Sequence, residues 1–400
     1  MAYLSVRKHS SWAFFSSAIF LMSPGFLLKT AWAIPSPNES PSPALKDPLS
    51  PILIDGKLTP MRKRILQESL DALNQKGQNL LNSGQIDRAF VIWYRELRLS
   101  QYLGESAQIK ILGQIGKVAW DNSRTDDIKT INKKLLSIQE QLETTHQMNL
   151  ANLNLLLAAY QSVHSLDNII LVQQRILALT DKNSLKEEEA LEGQGQAYLA
   201  RFDYTNAAKV YEILLKKVQA RSDTVKEEQY LKILSKIYQE NSDPKNSIAQ
   251  KKKLISTYEK SKQLDLVAGL LISIGNEYQV LNDYQKANEY YQKAFNLAWS
   301  LQYLGYAEES MNDLANLYYK SGKIGFTLAA YYQLLAVQKK SYNYYGLMQT
   351  YNKMGDIYLS QKDYRLALES YQNALQLGKS ISYEINYLQK KINALPKSKN

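Results

Sequence analysis

The stretch LISIGNEYQVLNDYQKANEYYQKA, residues 271–294, carries a small residue at Gly275, an aromatic at Tyr278, a second small residue at Ala287 and a second aromatic at Tyr291. The same offsets recur along most of the chain. Tyr198, Tyr238, Tyr278, Tyr318 and Tyr358 stand 40 residues apart without a slip. Three residues before each comes a small one: Gly195, Ser235, Gly275, Ala315 and Gly355. Nine residues after each comes another, Ala207, Ser247, Ala287, Thr327 and Ala367, and thirteen after each a bulky one, Tyr211, Lys251, Tyr291, Tyr331 and Tyr371. Lys251 alone breaks that last column. A constant period of this size is the signature of a stacked repeat array, in which no unit buries its apolar face alone.

Within one period the spacing predicts two helices folded against each other. A small residue on each lets the backbones approach, and an aromatic from one fills the groove of the other. A glycine in mid-helix costs about 1 kcal/mol against alanine, so Gly195, Gly275 and Gly355 at one repeat position need a packing reason. Between the helices Asp203-Tyr204, Asp283-Tyr284 and Asp363-Tyr364 recur 80 residues apart, as though pairs of repeats had been duplicated together.

These residues resemble the tetratricopeptide repeat, whose first helix carries a large residue, then Leu-Gly, then Tyr, and whose second carries Ala, an aromatic and Ala. Leu271, Ile274, Gly275, Tyr278, Ala287, Tyr291 and Ala294 fall in its register, as do Leu191, Gly195, Tyr198, Ala207 and Tyr211, and Met354, Gly355, Tyr358, Ala367, Tyr371 and Ala374. The resemblance implies an all-α, right-handed α-solenoid. The usual repeat has about 34 residues; the longer period here is similar to versions found in spindle-orientation adaptors, kinesin light chains and many bacterial sensor proteins. The extra residues are expected in the second helix and in the link to the next hairpin, with Gly104, Gly305 and Gly346 where such a helix would end. Toward the N-terminus the copies fade, but three more hairpins centred on Gly77, Gly116 and Leu157 bring the expectation to about eight. Ile381 to Leu395 has no partner and reads as a capping helix that closes the stack.

The first 33 residues are of another kind. Arg7 and Lys8 precede the apolar run Trp12 to Leu28, which ends in Ala31-Trp32-Ala33, the small-x-small pattern of a signal peptidase site. Residues 1–33 therefore read as a secretory leader cleaved between Ala33 and Ile34, with a retained membrane anchor as the alternative. Residues 34–57 form a linker rich in Pro and Ser, and residues 58–400 the array with its cap. Without an Arg-Arg pair or any cysteine, the leader fits neither the twin-arginine route nor a lipoprotein. These features place the chain in a bacterial periplasm or an equivalent lumen. The absence of cysteine means that helix packing alone stabilises it.

Formal charge is +11, and loss of Arg7, Lys8 and Lys29 with the leader lowers it to +8, which is mild for the size. The residue inventory is poor in the groups that catalysis needs. Beyond the leader only His146 and His164 remain, with no histidine–carboxylate motif, so neither a metal nor another cofactor is expected. No phosphate-cradling loop is present, since Gly113, Gly116, Gly193 and Gly195 sit in helical patterns. The acidic run Glu187-Glu188-Glu189 with Glu192 opens a helix, where the helix dipole favours carboxylates.

Two constellations suit binding. The resemblance implies that residues one turn apart on each first helix face a concave groove: here Lys232 and Lys236, then Asn276, then Asn312 and Asn316, then Asn352 and Asp356. An amide offers both a donor and an acceptor, so such a ladder pairs with an extended peptide backbone without reading its side chains. The lysine pair would suit an acidic side chain or a C-terminal carboxylate. The second constellation is the basic stretch Lys245, Lys251, Lys252, Lys253, Lys260 and Lys262, ordinarily a solvated face, which would meet anionic lipid headgroups or acidic polysaccharide in peripheral contact. An exported location argues against nucleic acid. Tyr290, Tyr319, Tyr332, Tyr342, Tyr344 and Tyr345 lie off the main core columns and would enrich a recognition face. The expectation is a non-enzymatic adaptor or scaffold for a protein segment. The alternative is an envelope or membrane-surface structural protein, tethered by an uncut N-terminus or by the lysines. N-terminal sequencing of the protein from its own source is expected to begin at Ile34; a chain starting at Met1 or Ala2 would establish the anchored form.

Overall fold

The computed structural model describes residues 47–54 and 57–396. The expected leader and most of the linker lie outside the described residues. By its contacts the chain divides into Met1–Ser50 and Pro51–Asn400. Of the first unit only residues 47–50 are described, a turn in which Asp47 Oδ1 accepts from the Leu49 N–H at 2.9 Å.

In the second unit sixteen helices pair into eight successive hairpins among the described residues. They are α1 (Pro60–Asn82) with α2 (Ile86–Ser100), α3 (Glu105–Asp121) with α4 (Thr125–Thr144), α5 (Leu150–Ser162) with α6 (Leu166–Leu179), and α7 (Leu185–Ala200) with α8 (Tyr204–Ala220). There follow α9 (Thr224–Glu240) with α10 (Pro244–Lys260), α11 (Leu264–Val280) with α12 (Tyr284–Ser300), α13 (Leu304–Lys320) with α14 (Ile324–Lys340), and α15 (Tyr344–Ser360) with α16 (Tyr364–Ser380). A shorter helix, α17 (Ile385–Asn393), closes the stack as expected, with Leu388 fully buried against Met348, Ala374 and Leu375. The fold is an all-α solenoid.

From α8 to α16 each helix has 17 residues, so the 40-residue period is two equal helices and two equal three-residue turns. The added length is shared, and neither the second helix nor the link to the next hairpin is favoured. From α7 to α16 every turn closes in the same way. Around Asn282 the N–H of Asp283 reaches back to the Tyr278 carbonyl and that of Asn282 to Gln279, both at 2.9 Å, with Asn282 at φ 57°. This is the Schellman closure of a helix C-terminus. Asp283 then caps the next helix, its carboxylate accepting from the Lys286 N–H at 3.1 Å. Asp203, Asp223, Asp243 and Asp363 repeat the cap, and Asn343 does so with an amide. The left-handed residues recur every 20 positions and include Phe202, Gln302, Tyr342 and Lys362 as readily as Gly322. Of the three glycines expected to end helices, only Gly104 takes positive φ; Gly305 and Gly346 lie inside the first turns of α13 and α15, because Gln302 and Tyr342 already hold the left-handed positions.

The glycine column has the expected packing reason. A Cβ on Gly275 would lie 2.5 Å from the Tyr291 ring, and one on Gly355 2.5 Å from the ring of Tyr371. Both tyrosines are fully buried. The five tyrosines at the 40-residue spacing do something else: their hydroxyls meet the second helix of the preceding hairpin. Tyr238 bonds Glu212, Tyr278 accepts from Lys252 (3.4 Å), Tyr318 donates to Asn288 (2.5 Å), Tyr358 pairs with Tyr332 (3.0 Å) and Tyr198 accepts from Gln174 (3.4 Å). One column thus closes hairpins and another ties each hairpin to its predecessor.

The fifth hairpin departs from this pattern and compensates. Lys251 replaces the column tyrosine and Glu277 stands where other repeats place Ala197, Ile237, Leu317 or Ile357. The two meet: Lys251 Nζ lies 2.8 Å from Glu277 Oε1, with their side chains 5% and 9% exposed. Ser247 Oγ donates to the same oxygen at 2.8 Å, and Gln239 Oε1 accepts from Lys251 at 3.2 Å.

Two stability tests follow from this packing. Gly275→Leu is expected to cost about 3 kcal/mol, the upper end for overpacking, and to separate the unfolding of the two sides of the stack in a urea titration followed by circular dichroism. Glu277→Leu should cost about 3–5 kcal/mol because it strands a buried ammonium, whereas Lys251→Met with Glu277→Leu should be neutral or more stable than the parent. A double variant as unstable as the single one would show that the pair is not self-contained.

Candidate binding face

Among the first helices α3 packs on α5 and α11 on α13, and side chains join α7 to α9 (Glu192–Lys226, 2.9 Å) and α13 to α15 (Asn312–Lys353, 3.4 Å). The first helices therefore share a face. The position directly after the small column, one per hairpin, runs along it as Gln196, Lys236, Asn276, Asn316 and Asp356. Gln196, Lys236, Asn276 and Asp356 are exposed and Asn316 is half-buried.

Most candidate groove residues already have work inside the molecule. Asn276 Oδ1 accepts from the Tyr291 hydroxyl at 2.5 Å, and Asp356 accepts from the Tyr371 hydroxyl at 2.6 Å, so these groups satisfy polar atoms of buried rings. Asn312 is met by Lys353 at 3.4 Å. Asn352 is buried and accepts from Lys391 of α17 at 2.8 Å. Lys232 pairs with Glu228 at 2.6 Å. Lys236 and Asn316 have no hydrogen-bond partner among the described residues. On the same helices burial, with Glu309 adding, pushes the Asp313 carboxyl up to about 6, and burial pulls the Lys353 ammonium down. Lys353 and Lys391 escaped sequence reasoning. Lys391 stands on α17, outside the repeat columns read from the sequence.

The basic stretch is not brought together as a unit. Lys251 belongs to the core, held by Glu277, while Lys245, Lys252, Lys253, Lys260 and Lys262 are exposed. Lys245 and Lys252 line a cleft of about 510 Å³ with Ile248, Tyr278, Asp283 and Lys286. Lys252 stands 5.9 Å from the Tyr278 ring centroid and 5.7 Å from that of Tyr290, so its charge rests on aromatic faces. Of the candidate tyrosines, Tyr319, Tyr332, Tyr342, Tyr344 and Tyr345 are exposed and Tyr290 is half-buried beside Tyr278.

The acidic run opens α7 as expected and also bridges helices. Glu187 pairs with Lys217 at 2.8 Å, Glu188 with Arg221, and Glu192 with Lys226 at 2.9 Å. His146 and His164 are left-handed turn residues, and His164 stacks on Trp120 with ring centroids 3.8 Å apart. Among the described residues no group of three metal-ligating side chains converges, and no helix is long and apolar enough to cross a membrane.

A tetratricopeptide repeat model matches residues 306–380, from within α13 to the end of α16. No curated protein matches the chain. Among solved structures it is similar to the C-terminal part of a TPR repeat-containing protein from Cytophaga hutchinsonii, at 12% identity over 71% of this chain and 100% of that one with a TM-score of 0.40. It is also similar to the apo form of RapI, at 12% identity over 78% of this chain and 98% of that one with a TM-score of 0.37. A third, BtubC (BKLC) from P. vanneervenii, is 15% identical over 59% of this chain and 95% of that one with a TM-score of 0.36. The family match thus covers the seventh and eighth hairpins, and the hairpins before them continue the same two-helix geometry.

Proposed function

We propose that this chain is a non-enzymatic adaptor or scaffold, exported to the periplasm or an equivalent lumen, that holds a protein segment along the face of its first helices. The observation that carries this reading is the row Gln196, Lys236, Asn276, Asn316 and Asp356, one polar group per hairpin at one position. Side chains at a fixed rise along a rigid stack offer an extended backbone a regular series of donors and acceptors. Lys236 and Asn316, which bond nothing else among the described residues, are free to do so. Repeat architectures bind through such extended faces. Export rests on the leader-like residues 1–33, with a basic start, an apolar run and Ala31-Trp32-Ala33.

The test must spare the residues that support the fold. Replacing Asn276 would take away the acceptor of the Tyr291 hydroxyl and leave it only the Gln279 amide as a partner, and replacing Asn352 would strip a ligand from Lys391. The Lys236→Ala, Asn316→Ala variant touches neither. Pull-down from envelope extract of the native source is expected to recover a specific protein with the parent chain and to lose it with this variant, while thermal melting stays unchanged. Retention of the partner by the variant would remove this face from the binding reaction, and sedimentation with lipid in place of a protein partner would favour the envelope-structural alternative.

A further inference from the structure

Asp356 is the one carboxylate in the row, and it is occupied. Lys391 of α17 places its Nζ 2.6 and 2.8 Å from the two carboxylate oxygens and 2.8 Å from Asn352 Oδ1. The ammonium stands 5.2 Å from the ring centroid of Tyr371 and 4.9 Å from that of Tyr387. The Tyr371 hydroxyl donates to the same carboxylate at 2.6 Å and so fixes its orientation. A carboxylate, an amide oxygen and aromatic faces are together what an alkylammonium requires. All but Tyr387 belong to the last full hairpin and exist without the cap.

One hairpin earlier the same contact recurs in weaker form: Lys353 of α15 reaches Asn312 of α13 at 3.4 Å, where Asn316 stands in place of the carboxylate. The element that delivers Lys391 is also unlike the others. It has 9 residues against 17, follows two left-handed residues, Ser382 and Glu384, and buries only Leu388 completely.

We propose that Asn352, Asp356 and Tyr371 form a site for a lysine or arginine side chain of a bound protein segment, and that Lys391 fills it in cis as an internal pseudo-ligand. The proposal rests on the reading that a segment lies along the first-helix face, and it gives that face a direction. The Asp356 end takes a basic residue, and the Lys236 end takes an acidic side chain or a carboxylate. A partner binds only by displacing Lys391, which lowers its apparent affinity by the fraction of time the site is closed.

Fluorescence anisotropy at low salt with a fluorescein-labelled tetralysine peptide tests this on the full chain. Lys391→Met keeps a long unbranched apolar side chain beside Tyr371 and Tyr387 but removes the charge, and should bind the peptide about tenfold tighter than the parent by removing the competitor. Adding Asp356→Asn should abolish the gain, and Lys391→Arg should match the parent. If the methionine substitution undocks α17 the site is still open and the gain is still expected. No gain over the parent, or a gain that survives Asp356→Asn, overturns the proposal and leaves Lys391 as a tie between helices. Either result is independent of partner capture through Lys236 and Asn316, so this site can fail while the adaptor reading stands.

Discussion

The structure depends on the contact between an aromatic ring and a helix backbone left bare of side chain. Where Gly275 meets Tyr291 and Gly355 meets Tyr371, a single added carbon would lie 2.5 Å from the ring, so the two helices of a hairpin stand as close as they do only because that carbon is absent. The close approach has a second consequence. It carries each ring through the hairpin, so that its hydroxyl emerges on the first-helix face, where Asn276 or Asp356 accepts from it. The polar row is therefore not decoration laid over a finished core. Two of its members terminate the core, and their orientation is fixed by rings that hold the hairpins shut.

The fifth hairpin shows how far the contact can be replaced. With Ser235 for glycine and Lys251 for tyrosine, the ring and its seat are both gone, and a buried ion pair reaching into the next hairpin takes over. Burying two charges seldom adds stability over apolar residues of the same volume, but it penalises any arrangement in which they part. Lys251 and Glu277 lie in different hairpins, so the pair fixes how the fifth stacks on the sixth, where the neighbouring Lys252–Tyr278 contact is a long 3.4 Å.

Much of this was legible in the sequence, for identifiable reasons. The period, the small and aromatic columns, the count of eight hairpins and the cap follow from residues whose roles are local and repeated. Asp203-Tyr204, Asp283-Tyr284 and Asp363-Tyr364 mark the turns between helices, and the structure adds that the Asp283 carboxylate caps the helix that follows. Turn positions were less legible: Gly305 and Gly346 looked like helix ends, yet the turn imposes positive φ on Gln302 and Tyr342, and hydrogen bonds rather than residue preference decide the boundary. Lys251 falls in one basic run with its exposed neighbours, and nothing local betrays its partner, which lies 26 residues away in a column that is otherwise apolar. On the candidate face the row was visible, but not the internal partners of its members, which come from other helices and from α17.

Position along the stack also decides which of those internal partners can be exchanged. In a linear array each hairpin is stabilised mainly by its two neighbours, so an element in the middle cannot leave without breaking two interfaces. Among the described residues the cap packs on one neighbour, α16 with its hairpin, and has one fully buried side chain. Local opening free energies fall toward such ends, well below that of global unfolding. Asn276 cannot give up its hydroxyl without disturbing a buried ring, whereas Asp356 can give up Lys391 by a motion confined to the last nine-residue helix. The one rung whose occupant can be exchanged at small cost is thus the one that carries a full negative charge, and this concentrates selectivity for a basic side chain at the C-terminal end of the face.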